Sequence, residues 1–331
     1  MSDAPRDHYT PSSVSTGRVF AGPVVDTETH VFLRAWPIDT NPQMSAVEPY
    51  TRTEYSGEVL LAEMDRAGVD AAVLIGYDGY DFPQFMQRFG SDPGDFMGGR
   101  RYTQGWASRA PDRLRFVTTL RNPGSWDALA LLEDELANGA VGVKIFPAYL
   151  SLRANATEIR AAFDVLRAHD AAAIFGLEDT VPPDTPALTE CYEEIGQLAA
   201  DYPGVPIQLN HGANARLDSD DTRVLFDVVN AHESILVSTS VLGGPLMVWA
   251  DEWRYPFPVY LEHLAVYFDG LPARKLAWGT DWPWFEGVVK YPQLLQAIVD
   301  HATFISEEDK RLYLGGNAIR HWGVAVDEPA T

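Results

Sequence analysis

Cysteine occurs once in this chain, at Cys191, so no intrachain disulfide can form and a disulfide-framed scaffold is excluded. Cys191 lies in an apolar-periodic segment and reads as a packed, inert thiol. Basic residues are scarce as well. Lys plus Arg total 25 against 47 Asp plus Glu, a formal charge of −22. A surface of that sign repels nucleic acid and anionic membranes, so neither is expected as a partner. An anionic substrate would need a cation placed locally. No uninterrupted apolar run approaches the length that spans a bilayer. The polar N-terminus, rich in Ser, Thr and Pro, lacks the apolar centre of a signal peptide. The expectation is a soluble, cytoplasmic protein. No Gly-x-Gly-x-x-Gly turn follows an apolar strand, which argues against a nucleotide-binding open sheet. Internal repeats and low-complexity segments are also lacking.

What is present is apolar and alternating. Hydrophobic residues make up 46% of the chain, ample for one large core. Eight β-type segments stand out: Val24–Thr27, Ala71–Gly76, Arg115–Leu120, Val141–Phe146, Ala171–Gly176, Val205–Asn210, Ser234–Thr239 and Lys275–Thr280. Their near-continuous apolar character suits parallel strands covered on both faces. Amphipathic segments separate them: Glu58–Ala67 stopping at Gly68, Ser125–Ala137 with Ser125 as N-cap, Thr157–Ala168, Leu188–Ala200, Thr222–Ala231 and Val259–Phe268. Leu294–His301 and Ser306–Leu314 follow the last strand.

Strand–helix alternation repeated eight times predicts an α/β fold, a (β/α)8 TIM barrel. It forms a single domain over residues 18–324, between flexible tails at 1–17 and 325–331. An eight-stranded doubly wound open sheet is the alternative. Two connections are long, Phe32–Gly57 after strand 1 and Gly76–Arg113 after strand 2, part of the latter helical. Both are rich in aromatic residues. They wall a partly apolar pocket, or they pack over the barrel mouth.

A barrel places its chemistry at the C-terminal ends of its strands. Strand 1 leads into Glu28-Thr29-His30. Side chains two apart on a strand share a face, so the pair offers an oxygen and a nitrogen ligand to one divalent metal. Further polar residues stand at the same level: Lys144 on strand 4, Glu178 and Asp179 after strand 5, His211 after strand 6, Ser238 and Ser240 at strand 7, and Asp281 after strand 8. The bland readings are a buried hydrogen-bonded pair for Glu28 and His30, a helix N-cap for Asp281, and a core histidine for His211.

The chain resembles the amidohydrolase superfamily, in particular its amidohydrolase-related branch of metal-dependent barrel hydrolases and decarboxylases. The resemblance is carried by the runs 25–30, 60–70, 139–144, 209–212, 278–283 and 316–320, which occur in the family's order and span nearly the whole chain. The tract through Trp284 and the long first connection look closer to lactone hydrolases of the branch than to its decarboxylases. The resemblance implies one divalent metal ion, Zn or Mn, held by Glu28, His30 and Asp281, with Glu178 as a further ligand. Such enzymes usually carry His-x-His on strand 1, and Glu28 in the first place is a substitution shared with some decarboxylases and hydratases of the branch. Asp281 would ligate the metal or move the attacking water's proton, and His211 would polarise the substrate or act as acid/base. One departure stands out: Gly176 falls about where the family's fifth-strand histidine would be. Some lactonases of the branch work without metal, so a metal-free enzyme stays open.

Lys144 binds a substrate carboxylate, bridges two metals as a carbamate as in binuclear relatives, or pairs with a barrel carboxylate; pairing is favoured. Arg216, just beyond His211, is a surface or packing residue, or it meets an anionic substrate. Trp282 walls the pocket or packs the last turn. The leading expectation is a metal-dependent hydrolase that opens a lactone, cyclic amide or ester of a small carboxylated or polyhydroxylated molecule. A non-oxidative decarboxylase or hydratase is the second, and a non-catalytic barrel that binds a small molecule the third. A homodimer is the expected assembly.

Overall fold

The computed structural model describes residues 17–33, 55–76, 78, 99–122, 125, 127–177, 187–217, 219–242, 254–284, 286 and 289–326. Its strands are β1 (Val25–Thr29), β2 (Ala71–Ile75), β3 (Leu114–Thr119), β4 (Gly142–Ile145), β5 (Ala172–Phe175), β6 (Ile207–Leu209), β7 (Ile235–Ser238) and β8 (Leu276–Ala277). All pair in parallel and in chain order. The two ends of the sheet then meet. Thr27 N–H donates to the Trp278 carbonyl at 3.1 Å, Asp281 N–H to that of Glu28 at 2.9 Å, and His30 N–H to that of Trp282 at 2.7 Å. The result is the expected (β/α)8 barrel. The long connections after strands 1 and 2, and both tails, lie largely outside the described residues.

The helices are α1 (Gly57–Ala67), α2 (Gly99–Arg109), α3 (Ala128–Ala137), α4 (Thr157–Ala168), α5 (Leu188–Asp201), α6 (Asp220–Ala231), α7 (Pro258–Gly270), α8 (Tyr291–His301), α9 (Glu307–Arg311) and α10 (Asn317–Trp322). None of the described helices is long and apolar enough to cross a membrane. Local chemistry sets their ends. Ser56 caps α1 by accepting from Val59 N–H, and Gly68 stops it at φ 75°, a left-handed position that costs glycine little. Every residue of β2 is buried, because barrel interior and helices cover opposite faces of the strand.

Several boundaries moved, each for a physical reason. Ser125 is not the N-cap of α3: its hydroxyl donates back to Asn122, and the helix starts at Ala128. Strand 8 shrinks to two residues, and Lys275 closes a 3-10 turn before it. The segment expected as one helix over 306–314 passes instead from α9 through a π-helical turn, Leu312–Gly316, into α10. There the Tyr313 carbonyl accepts from Trp278 N–H at 3.0 Å, tying the C-terminal helices to the closing strand. Strand 1 runs on to Thr29 and carries a bulge. Asp26 faces Ala72 and Thr29 faces Leu74, so three steps on β1 match two on β2. Strict alternation therefore fails between Asp26 and His30, and such bulges re-aim side chains next to functional sites.

His321, on α10, supplies a stability test. Burial pushes its imidazole from 6.5 down to about 3, with Nε2 enclosed. Below pH 6.5 the unfolded chain takes up a proton that the folded one refuses, so stability falls with falling pH across that window. We expect His321 to account for about 1 kcal/mol of loss between pH 6 and pH 5. Denaturant titrations at both pH values would show that share missing in His321→Gln; an equal slope in variant and wild type would refute the assignment.

Candidate active site

Glu28 lies at the centre of the barrel mouth and is fully buried. Lys144 Nζ donates to its Oε1 at 2.6 Å, and the Ser240 hydroxyl donates to its Oε2. His211 Nε2 stands 3.6 Å from Oε1. Across the site, His30 Nε2 lies 3.2 Å from Asp281 Oδ1. One ligand atom each from Glu28, His211 and Asp281 falls within 4.8 Å of the others, the spacing of a shared cation. Burial alone would raise the Glu28 carboxyl. The facing His211 ring, the Lys144 ammonium with its hydrogen bond, and the His30 ring outweigh it and hold the group well below the usual carboxylate range.

The hydrogen bonds define how the histidines point their lone pairs. His30 Nδ1 lies 3.0 Å from the Ile75 carbonyl, which can only accept, so Nδ1 carries the proton. Burial and the Lys144 charge push this imidazole down to about 3, which keeps it neutral. Its Nε2 lone pair therefore faces the Asp281 carboxylate. At His211, Nδ1 lies 3.3 Å from Ser240 Oγ, whose single proton is already given to Glu28, so Nδ1 must donate. Its Nε2 faces Glu28 Oε1. Nitrogen and carboxylate oxygen facing each other in this way can share a cation, and metal-bound histidines commonly anchor their other N–H as these two do. Glu28, His211 and Asp281, with His30 beside Asp281, thus fit a divalent ion by the chemistry of the donor set.

Backbone geometry presents these groups. His211 sits at φ 57° and Asp281 at φ 55°, a left-handed conformation uncommon for side chains of this kind and concentrated at functional sites. Asp26 supports the second of them. Its Oδ1 accepts from Glu28 N–H at 3.1 Å and Thr280 N–H at 3.0 Å, and its Oδ2 from Thr280 Oγ1 at 2.6 Å. Burial pushes this carboxyl up to about 7 against those donors. At Gly279 only hydrogen fits: a Cβ would lie 2.8 Å from Ser238 Oγ and 3.0 Å from Thr27 Oγ1, two hydroxyls bonded to each other.

The sequence expectations meet this geometry unevenly. Glu28, His30, His211 and Asp281 come together. Lys144 pairs with Glu28, the reading favoured for it. Glu178 lies outside the described residues. Arg216 directs Nε to Asp221 at 2.9 Å, with its side chain 67% exposed, so the structure shows it tied to the start of α6 rather than to the Glu28 cluster. Trp282 is 3% exposed and packed edge-on to Tyr55 and Tyr291, which favours packing over a pocket wall. Trp284 instead stands edge-on to His30, with centroids 6.1 Å apart. Asp26 has no role assigned from sequence, although an acid inside the apolar run Val24-Val25-Asp26 is a signal for it; Ser240 is placed at the barrel mouth by the sequence, but its partner is not.

A closed barrel with carboxylate and imidazole donors converging at its mouth defines an enzyme-type site. The amidohydrolase family model matches residues 25–324, and the chain belongs to that family. A comparison with curated proteins finds no match. Among solved structures, the chain is similar to an amidohydrolase from Burkholderia multivorans with bound Zn, at 14% identity and TM-score 0.64, covering 92% of this chain and 100% of that one. It is similar to a probable 2-pyrone-4,6-dicarboxylic acid hydrolase from Acinetobacter baumannii crystallised with citric acid, at 15% identity and TM-score 0.60, covering 91% and 99%. A third is a 5-carboxyvanillate decarboxylase from Novosphingobium aromaticivorans, complexed with manganese and 4-hydroxy-3-methoxy-5-nitrobenzoic acid, at 13% identity and TM-score 0.61, covering 94% and 98%. Identities this low establish a shared fold.

Proposed function

We propose that this protein is a divalent-metal-assisted hydrolase that opens the ring of a small carboxylated lactone. The observation that carries the reading is the convergence of Glu28, His211 and Asp281 within 4.8 Å at the barrel mouth. These three would hold the ion, with His30 Nε2 at Asp281 as a further donor. Zn and Mn are the favoured identities, because mixed oxygen and nitrogen donors suit both and structural neighbours contain each. Bound there, the ion supplies Lewis-acid polarisation of a carbonyl and a more acidic water.

The chain's own groups supply the rest. Asp281, fixed by its N–H on the Glu28 carbonyl, takes the proton of the attacking water as the new carbon–oxygen bond forms. It returns that proton to the ring oxygen as the acyl–oxygen bond breaks, so the proton count balances. Ser240 orients Glu28 and His211 through one hydroxyl. Trp284, beside His30, supports a planar apolar substrate face.

Glu28 in the Glu-x-His pair favours a second reading, a decarboxylase, in which Asp281 or His211 would protonate carbon as carbon dioxide leaves. Purified protein reconstituted with Zn2+ or Mn2+ separates the two. We expect loss of the ring absorbance of 2-pyrone-4,6-dicarboxylate, stopped by a chelator and restored by the ion. Carbon dioxide from 5-carboxyvanillate without any ring opening would move the assignment to the lyase. Turnover of neither, across a panel of carboxylated lactones and aromatics, would reject both.

A further inference from the structure

Glu28 faces the Lys144 ammonium and the His211 ring with one and the same oxygen. Its Oε1 takes the Lys144 ammonium at 2.6 Å and is also the oxygen nearest His211 Nε2, at 3.6 Å. Its Oε2 is engaged by Ser240. An ion shared with His211 and Asp281 therefore reaches the carboxylate on the edge that Lys144 already neutralises. Lys144 is itself buried, so its charge is poorly screened, and like charges that share one carboxylate oppose each other.

Strand β5 shows how the ammonium is seated. A Cβ at Gly176 would lie 2.4 and 2.5 Å from ring carbons of Phe146 and 3.4 Å from Lys144 Cε. The same ring lies under the ammonium, with Nζ 4.9 Å from its centroid, a cation–π contact. Ring and lysine stem together fill the strand-5 side of the site, where no side chain at position 176 could stand beside them. This side of Glu28 is built for a resident monovalent cation.

We propose that Lys144 and the divalent ion compete for Glu28 Oε1, so that Lys144 limits metal affinity and the ion binds by displacing the ammonium from this oxygen. The inference rests on the reading of Glu28, His211 and Asp281 as the cation site. It gives the site an exchangeable ion instead of a permanently held one, and it makes Lys144 a regulator of occupancy.

Equilibrium dialysis of the metal-stripped full-length chain against Mn2+ alone, at fixed pH and ionic strength, tests it. Lys144→Met is expected to bind one Mn2+ at least tenfold more tightly than wild type, and the gain should vanish in Lys144→Met combined with Glu28→Gln. Lys144→Gln removes the charge but keeps a donor to Glu28; it should also bind more tightly, and it serves should the methionine variant not fold. Wild type that binds while both variants bind equally or more weakly would overturn the competition and make Lys144 a support for the ligand carboxylate. Failure of every protein to bind Mn2+ would overturn the cation site itself, and the competition with it.

Discussion

Asp281→Asn should lower kcat/KM by about a thousandfold, within the range for loss of a general acid–base group. The substitution keeps size and shape, and the backbone bond from residue 281 to the Glu28 carbonyl is untouched. What changes is the capacity to take a proton. An amide in that place also alters the contact with His30, whose Nε2 lone pair lies 3.2 Å from Oδ1: turned toward the ring, the amide N–H donates where the carboxylate repels. The variant should therefore melt no lower than wild type in the absence of metal while losing both turnover and part of its metal affinity. Thermal unfolding of the stripped proteins, beside steady-state kinetics on the reconstituted ones, measures both effects. Activity within tenfold of wild type would remove Asp281 from the chemistry.

The largest stability effect is expected one residue later. Trp282→Ala should cost about 3–5 kcal/mol, as for other buried large aromatics truncated to alanine. The ring is 3% exposed, 5.5 Å from Tyr55 and 6.5 Å from Tyr291 between centroids. The backbone on either side of it closes the barrel: Trp282 N–H donates to Thr280 Oγ1, and its carbonyl accepts from His30 N–H. A cavity there would loosen the turn that carries Asp281. Trp284→Ala makes the informative comparison, because this partly buried ring touches His30 and Phe32 edge-on and its loss should raise KM more than it lowers stability. Urea denaturation of both variants decides. A loss below about 1 kcal/mol for Trp282→Ala would argue that the ring lines a pocket after all.

Much of this arrangement was legible in the sequence, and the unread part has a physical pattern. The strands were readable because each is a buried apolar run, and a barrel covers both faces of every strand. Glu28, His211 and Asp281 were readable because each follows such a run. Pairings were harder. Ser240 reaches Glu28 across 212 positions, and no local pattern encodes a contact of that span. The bulge in β1 is a matter of register against β2, set by the partner strand rather than by residues 26–29 themselves. Leu276–Trp278 reads as the middle of a longer strand, yet the ladder covers only two residues, because beyond Ala277 the backbone turns its hydrogen bonds to β1 and Asp26. Aromatic connections after strands 1 and 2 were visible as composition, which says what a loop contains and nothing about where its rings point.

The seam between β8 and β1 also governs the order of assembly. Asp26 and Thr280 are bonded across 254 positions, so the two halves of the site leave the ribosome far apart in time. Until the stretch near residue 280 is made, β1 pairs only with β2 and keeps an open edge, the kind of surface that recruits other chains. Any ligand that needs both Glu28 and Asp281 can stabilise only the finished barrel. A chain not yet made as far as Asp281 gains nothing from it, and occupancy of the site becomes a signature of a barrel that has closed.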